Sequence, residues 1–220
     1  MDPEPHRRLL ADVLAAGGGY PLVLAGVHAA RALGLVERPC RSVRVATENP
    51  VRMAAVVTKV WGGLEERGWR VRVLETHPLA ARLAVTGATG KVCEVGIVKE
   101  VLWRPPVRTG LGLALAPEDL LGTRVRDLAE RGLARDLIDV HAASTHWSRP
   151  DLEEWGRRHS RDAFDLTDLH ARLTASAWLD DGAFTPYGLD EPALTALRHW
   201  AHAWADDIAE RLIESRPPED

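Results

Sequence analysis

Two cysteines, Cys40 and Cys93, in 220 residues can make at most one disulfide or supply half a zinc site. That excludes a disulfide scaffold and a cysteine-rich zinc module, and both read as small core residues. No stretch approaches the roughly 18 apolar residues that a membrane span needs. The amino-terminal run MDPEPHRRLLADVLAAGGG carries acids and prolines where a secretory leader would be basic, and Asp12 breaks its apolar part. The expectation is a cytoplasmic chain with no membrane contact. Lysine is also scarce: apart from Lys59, Lys91 and Lys99, all 28 basic residues are arginine. No Gly-x-Gly-x-x-Gly, Walker, Gly-x-Ser-x-Gly or His-Glu-x-x-His string occurs, so dinucleotide, P-loop, hydrolase and zincin chemistry lack their minimal signals.

What is present suits a folded α/β protein. Apolar residues make up 45% of the chain, enough for a real core, and the formal charge is -4. The charge is unevenly spread: residues 1–150 hold 21 basic and 16 acidic side chains, residues 151–220 hold 7 and 16. An acidic carboxy-terminal part repels phosphate and disfavours a long nucleic-acid footprint.

Periodicity predicts a helix over 4–16 stopped by Gly17, Gly18 and Gly19, an apolar strand over 20–25 and a helix over 27–33. A strand over 42–46, a long helix over 50–67 and extended segments over 69–75, 80–86 and 91–98 follow, the last two joined as a hairpin by Gly87-Ala88-Thr89-Gly90. Pro105, Pro106, Gly110 and Gly112 make 104–112 read as an irregular crossover. Beyond it the spacing is helical over 117–132, 134–145, 149–159, 165–179 and 191–215, and the tail from Arg216 reads as frayed. Two domains are expected: an α/β (α+β) domain over 1–116 with a mixed sheet and flanking helices, and a helical bundle over 117–220.

Three blocks carry a resemblance: LAGVHAARALGLVERPCRSVRVATE (24–48), EVGIVKEVLWRPPV (94–107) and PEDLLGTRVRDLAERGLARDLIDVHA (117–142). Over residues 8–145 the chain resembles the AbiEii/AbiGii toxin family of nucleotidyltransferase-fold proteins. The third block is the most specific, with Arg131, Arg135, Asp136 and Asp139 filling an Arg-x-x-x-Arg-Asp-x-x-Asp string. The resemblance implies a nucleotidyltransferase-like fold. It also implies a glycine turn that approaches phosphate, and carboxylates on neighbouring strands that hold two divalent metals in line with the reacting oxygens.

The sequence departs from that pattern at the catalytic positions. Gly26 is followed by Val27 where a second small residue belongs. After Arg38-Pro39, the positions of the paired aspartates are Ser42 and Arg44, and the third carboxylate is Gly96, with Glu94 two residues away on the same strand face. Arg124 stands where the family has lysine. A guanidinium at Arg44 repels a cation by about 4 kcal/mol per unit charge at 4 Å and an effective dielectric of 20. The expectation is therefore a pseudoenzyme that needs no metal and no cofactor and takes a small ligand or a protein partner in the former cleft. An active nucleotidyltransferase toxin of a toxin-antitoxin pair, or a metal-free enzyme of small-molecule metabolism, are the alternatives.

His28, Arg44 and Glu94 are the candidate chemical groups of such a cleft, His28 being read as facing it. Gly26, Ser42, Arg124, Arg135, Asp136 and Asp139 complete the expected ligand-binding set, although the simplest reading of Arg131, Arg135, Asp136 and Asp139 is a structural salt-bridge lattice. A pocket with this charge suits an acidic aromatic or polyketide-like ligand. His199 and His202, three apart on one helix face, read as a solvated pair rather than zinc ligands, and the tryptophans of the helical half as packing between helices.

Overall fold

The computed structural model describes residues 3–36 and 42–214. Arg38, Pro39 and Cys40, and the tail from Ser215, lie outside the described residues. The chain divides into two compact units, residues 1–120 and 121–220, and the division falls inside a helix, α4, that begins at Pro117.

The first unit holds one seven-stranded mixed sheet. Its strands are β1 Val23–Leu24, β2 Ser42–Thr47, β3 Arg70–Thr76, β4 Ala80–Thr86, β5 Val92–Lys99, β6 Val107–Thr109 and β7 Gly112–Ala114, in the spatial order β3-β4-β5-β2-β1-β7-β6. β2 pairs with β5 and β1 with β7 in parallel; every other pairing is antiparallel. Val43 and Val45 of β2, Val95 and Ile97 of β5, and Ala81, Leu83 and Val85 of β4 are all fully buried on one face. Their alternation with Ser42, Arg44, Glu94, Gly96 and Arg82 sends the polar row to the opposite face.

Two helices cover the buried face. α1 (Pro3–Ala16) buries Leu9, Leu10, Val13 and Ala16 and packs on β2, while α3 (Met53–Glu65) buries Met53, Val56, Val57, Val60 and Leu64 and packs on β3 and β4. The helices also pack on each other, and closely: a Cβ at Gly63 would stand 2.8 Å from the Cβ of Ala16. Trp69 Nε1 donates to Asp12 at 2.8 Å, tying the start of β3 to α1. α3 begins three residues later than its apolar period suggests because Asn49 accepts a bond from Val51 N at 3.1 Å, holding that segment in a local turn.

The segment 104–112 corrects the expectation of an irregular crossover: it contains the tight β6–β7 hairpin. Pro105 and Pro106 precede β6, which is an edge strand, so their missing N–H groups cost no ladder bond. Thr109 Oγ1 closes the turn, donating to Gly112 O at 2.7 Å and accepting from Leu111 N at 3.2 Å. Just beyond, buried Asp119 accepts from Trp103 N at 3.1 Å and Arg104 N at 3.0 Å, satisfying the backbone that leaves β5.

The second unit is helical: the remainder of α4 (Pro117–Arg131), α5 (Ala134–Ala143), α6 (Arg149–His159), α7 (Leu166–Ala175) and α8 (Glu191–Glu214). Ser148 and Asp165 cap α6 and α7 by accepting from Asp151 N and Thr167 N. α7 stops four residues short of its apolar period, and the chain tightens into a 3-10 turn over Ser176–Trp178. Trp204 is fully enclosed and lies against Trp200, with ring centroids 5.3 Å apart. Trp178 departs from the expected packing role, being 87% exposed.

Buried Glu153 joins α6 to α8. It accepts from Trp204 Nε1 at 2.8 Å and from Arg211 Nη1 and Nη2 at 2.8 and 2.7 Å. Replacing Glu153 by Ala strands a buried indole N–H and removes the carboxylate from Arg211. The expected loss is about 3 kcal/mol, at the low end for a broken buried pair because Arg211 is partly hydrated and keeps Asp207. Glu153→Gln, which can still accept from the indole, loses about half of that. Urea denaturation of both variants checks the order.

Candidate functional site

β1 ends at Leu24, and Ala25 N donates to Arg44 O at 2.9 Å, which pins the following turn to β2. Gly26 then takes φ +62, a left-handed conformation that other residues resist, and opens helix α2 (Gly26–Ala32). Val27, next in line, is buried.

The parallel register of β2 and β5 sets Ser42 beside Glu94 and Arg44 beside Gly96. β4 adds Arg82, opposite Gly96 on the other side of β5. The Arg44 side chain lies across Gly96: a Cβ built there would meet Arg44 Nε at 3.7 Å and Cγ at 3.9 Å. Glu94 does not reach toward Arg44 as an uncommitted acid. Arg82 holds both of its oxygens at 3.0 Å through Nε and Nη2, and extends Nη1 to Glu75 at 3.2 Å. These bonds, to Glu94 first and Glu75 second, raise the pKa of Arg82, so its guanidinium stays charged.

His28 requires a correction. Its ring is buried and meets His6 of α1 edge-on at 6.2 Å, and its Nε2 has no hydrogen-bond partner among the described residues. The same His6 approaches Cys93 through Nε2 at 3.5 Å from Sγ, and Cys93 belongs to the helix-covered row of β5. His28 thus turns inward, away from the row of Ser42, Arg44 and Glu94. Burial, then the charges of His6 and Arg31, push its pKa down to about 4. No local pattern in the sequence announces this ring orientation.

In the second unit, Arg124, Arg131, Arg135, Asp136 and Asp139 come together on α4 and α5 as an ion-pair lattice. Arg131 binds both oxygens of Asp136 at 2.8 and 3.0 Å and Asp127 at 2.7 Å. Arg124 stands 3.2 Å from Asp139 and 3.8 Å from Asp127, and Arg135 3.8 Å from Asp136. Asp136 and Asp139 are fully enclosed and Arg124 nearly so. Their charges pair with one another within the helical unit.

Asp127 was the residue that sequence reasoning missed, although its spacing of three from Arg124 and four from Arg131 is the signal for it. Arg82 was missed as well, and the register of the β4–β5 hairpin would have placed it near Glu94. Among the described residues no three His, Cys, Asp or Glu side chains converge to hold a metal ion, and no helix is long and apolar enough to cross a membrane.

Compared by sequence, the chain matches no family model and no curated protein. Compared by structure, it is similar to JHP933 from Helicobacter pylori, with a TM-score of 0.56 at 16% identity over 96% of this chain and 94% of that one. It is also similar to MenT4, a nucleotidyltransferase toxin from Mycobacterium tuberculosis, with a TM-score of 0.61 at 17% identity over 92% and 82%. The chain therefore has a nucleotidyltransferase-like fold.

The buried neutral His28 makes the protein sensitive to acid. Its folded pKa lies below the ordinary 6.5, so its contribution is complete above pH 6.5 and is lost as the pH falls toward 4, where the unfolded chain takes up a proton that the folded one refuses. The loss over that window is about 3 kcal/mol. Chemical denaturation at pH 7.5 and 4.5 measures it. His28→Leu should flatten the difference by most of that amount, and an unchanged difference would contradict the burial argument.

Proposed function

We propose that this chain is a degenerate member of the AbiEii/AbiGii toxin family, without nucleotidyl-transfer activity, that uses the polar face of its sheet to bind an anionic small ligand or partner. One observation carries the reading: Arg44 crosses Gly96 on the adjacent parallel strand, where the family pattern sets two of its three metal-binding carboxylates.

Two-metal transfer needs several carboxylates around two cations. Here the positions are held by a hydroxyl, a guanidinium and a glycine, and the neighbouring acid, Glu94, is clamped by Arg82. Freeing Glu94 for a metal would break a bidentate pair and still leave Arg44 beside the cation. A polar row that carries Arg44 and Arg82 suits the opposite task, docking a carboxylate or phosphate. The fold alone does not decide between these activities, because one scaffold hosts many; the groups on the sheet face favour the binding role.

Calorimetry with each NTP, with and without magnesium, tests the reading. No magnesium-enhanced binding is expected, and a micromolar affinity that depends on magnesium, or transfer of labelled nucleotide to RNA or protein, would overturn it. The companion variant restores acids at the three positions. Gly96 has an ordinary, negative-φ backbone and room for a Cβ, so Ser42→Asp, Arg44→Asp and Gly96→Asp together should fold and gain Mn2+ binding detectable by electron paramagnetic resonance. A folded triple variant that binds no more Mn2+ than the wild type would show that the three positions do not converge.

A further inference from the structure

The helical unit carries a pocket of about 500 Å³ between α7, α8 and the 3-10 turn Ser176–Trp178, with Leu173, Ala177 and Ala205 among its walls. One residue past that wall stands Trp178, the most exposed of the large apolar side chains among the described residues. The turn buries Ser176 and leaves the indole outside. The chain that follows is tied to α8, because Arg198 donates from Nη2 to Leu179 O at 2.7 Å and to Asp181 at 2.6 Å. An apolar ring is thus held out on a fixed backbone, which lowers the entropy cost of burying it against a partner.

The charges of the pocket decide what enters it. Arg198 is engaged by Leu179 O and Asp181, and Asp206 lines the opposite wall with Oδ2 2.9 Å from His202 Nδ1. An anion would face Asp206 and a cation would face Arg198. The fitting group is therefore neutral and apolar, with an N–H for the Asp206 carboxylate, which accepts more than one bond. An indole is such a group, and this chain pairs indoles with acids twice already: Trp69 Nε1 donates to Asp12 and Trp204 Nε1 to Glu153, each at 2.8 Å. We propose that Trp178 of one copy of this chain enters the α7–α8 pocket of a second copy, with Nε1 on Asp206, and that the second copy returns the contact to close an isologous dimer. Knob and pocket suit a two-fold axis because they are neighbours on one edge of the helical unit, Ala177 lining the pocket and Trp178 following it. Charge complements the fit: exposed Asp180, two residues past the indole, would meet the pocket rim of the second copy, where His170 and His199 stand. The proposal is independent of the reading of the sheet face.

Analytical ultracentrifugation of the full chain tests the proposal. The wild type is expected to exchange between monomer and dimer over about 1–300 μM. Trp178→Ala removes the knob, and Thr195→Trp fills the pocket from an exposed position on α8. Each should weaken self-association on the order of tenfold or more with thermal melting retained, and Trp178→Phe, which keeps a ring but no N–H, should fall between Trp178→Ala and the wild type. Mixing the two variants gives the sharpest outcome. The Thr195→Trp copy still offers Trp178 and the Trp178→Ala copy still offers an open pocket, so the mixture should associate more tightly than either variant alone. A wild type that stays monomeric throughout, either folded variant associating like the wild type, or a mixture no tighter than its components would overturn the assignment.

Discussion

The parallel pairing of β2 with β5 governs what the open face of the sheet can hold. Val43, Val45, Val95 and Ile97 are fully buried beneath helices, and because strand side chains alternate, their burial decides the position of every residue between them. A slip of one residue would drive Arg44 into the core and turn two valines outward, so the register is held by hydrophobic burial rather than by the polar groups themselves. The juxtaposition of Arg44 with Gly96 is thus a consequence of packing on the opposite face.

Arginine then settles the electrostatics in two different environments. On the sheet, the Arg82 to Glu94 pair is exposed to water and contributes little stability, yet its planar fork engages both oxygens of Glu94, the acid beside Ser42 in the strand register. In the helical unit the pairs are enclosed. Asp136, Asp139 and Glu153 have no water to stabilise their charge, so each depends on a neighbouring guanidinium, and loss of one partner there costs about 3–5 kcal/mol. A chain almost devoid of lysine suits both uses, since a bidentate donor satisfies two acceptors at once.

Much of the architecture was legible locally. Helical and strand periods located most elements, the Gly26 turn showed itself by residue type, and the unusual groups at 42, 44 and 96 stand in the sequence for anyone to read. The β6–β7 hairpin did not, because prolines and glycines at its ends mask two strands of three residues each. The end of α7 was also missed: helical spacing continues through 176–179 although the backbone tightens there, and apolar period cannot distinguish an α-helix from a 3-10 turn.

By itself the sequence determined the alternation of buried and polar rows, the split between an α/β part and a helical part, and the residue types that replace the acids of the resembled family, since each depends on neighbours within a few positions. Only the tertiary structure decided that Arg82 clamps Glu94, that His28 turns into the interior against His6, that the Arg131 to Asp139 segment closes into a buried lattice with Asp127, and that Arg198 borders a cavity. These are contacts selected by close packing, where burial fixes which partner a charge or ring can reach; the spacing of Asp127 from Arg124 and Arg131 makes its pairing possible, and packing decides that it forms.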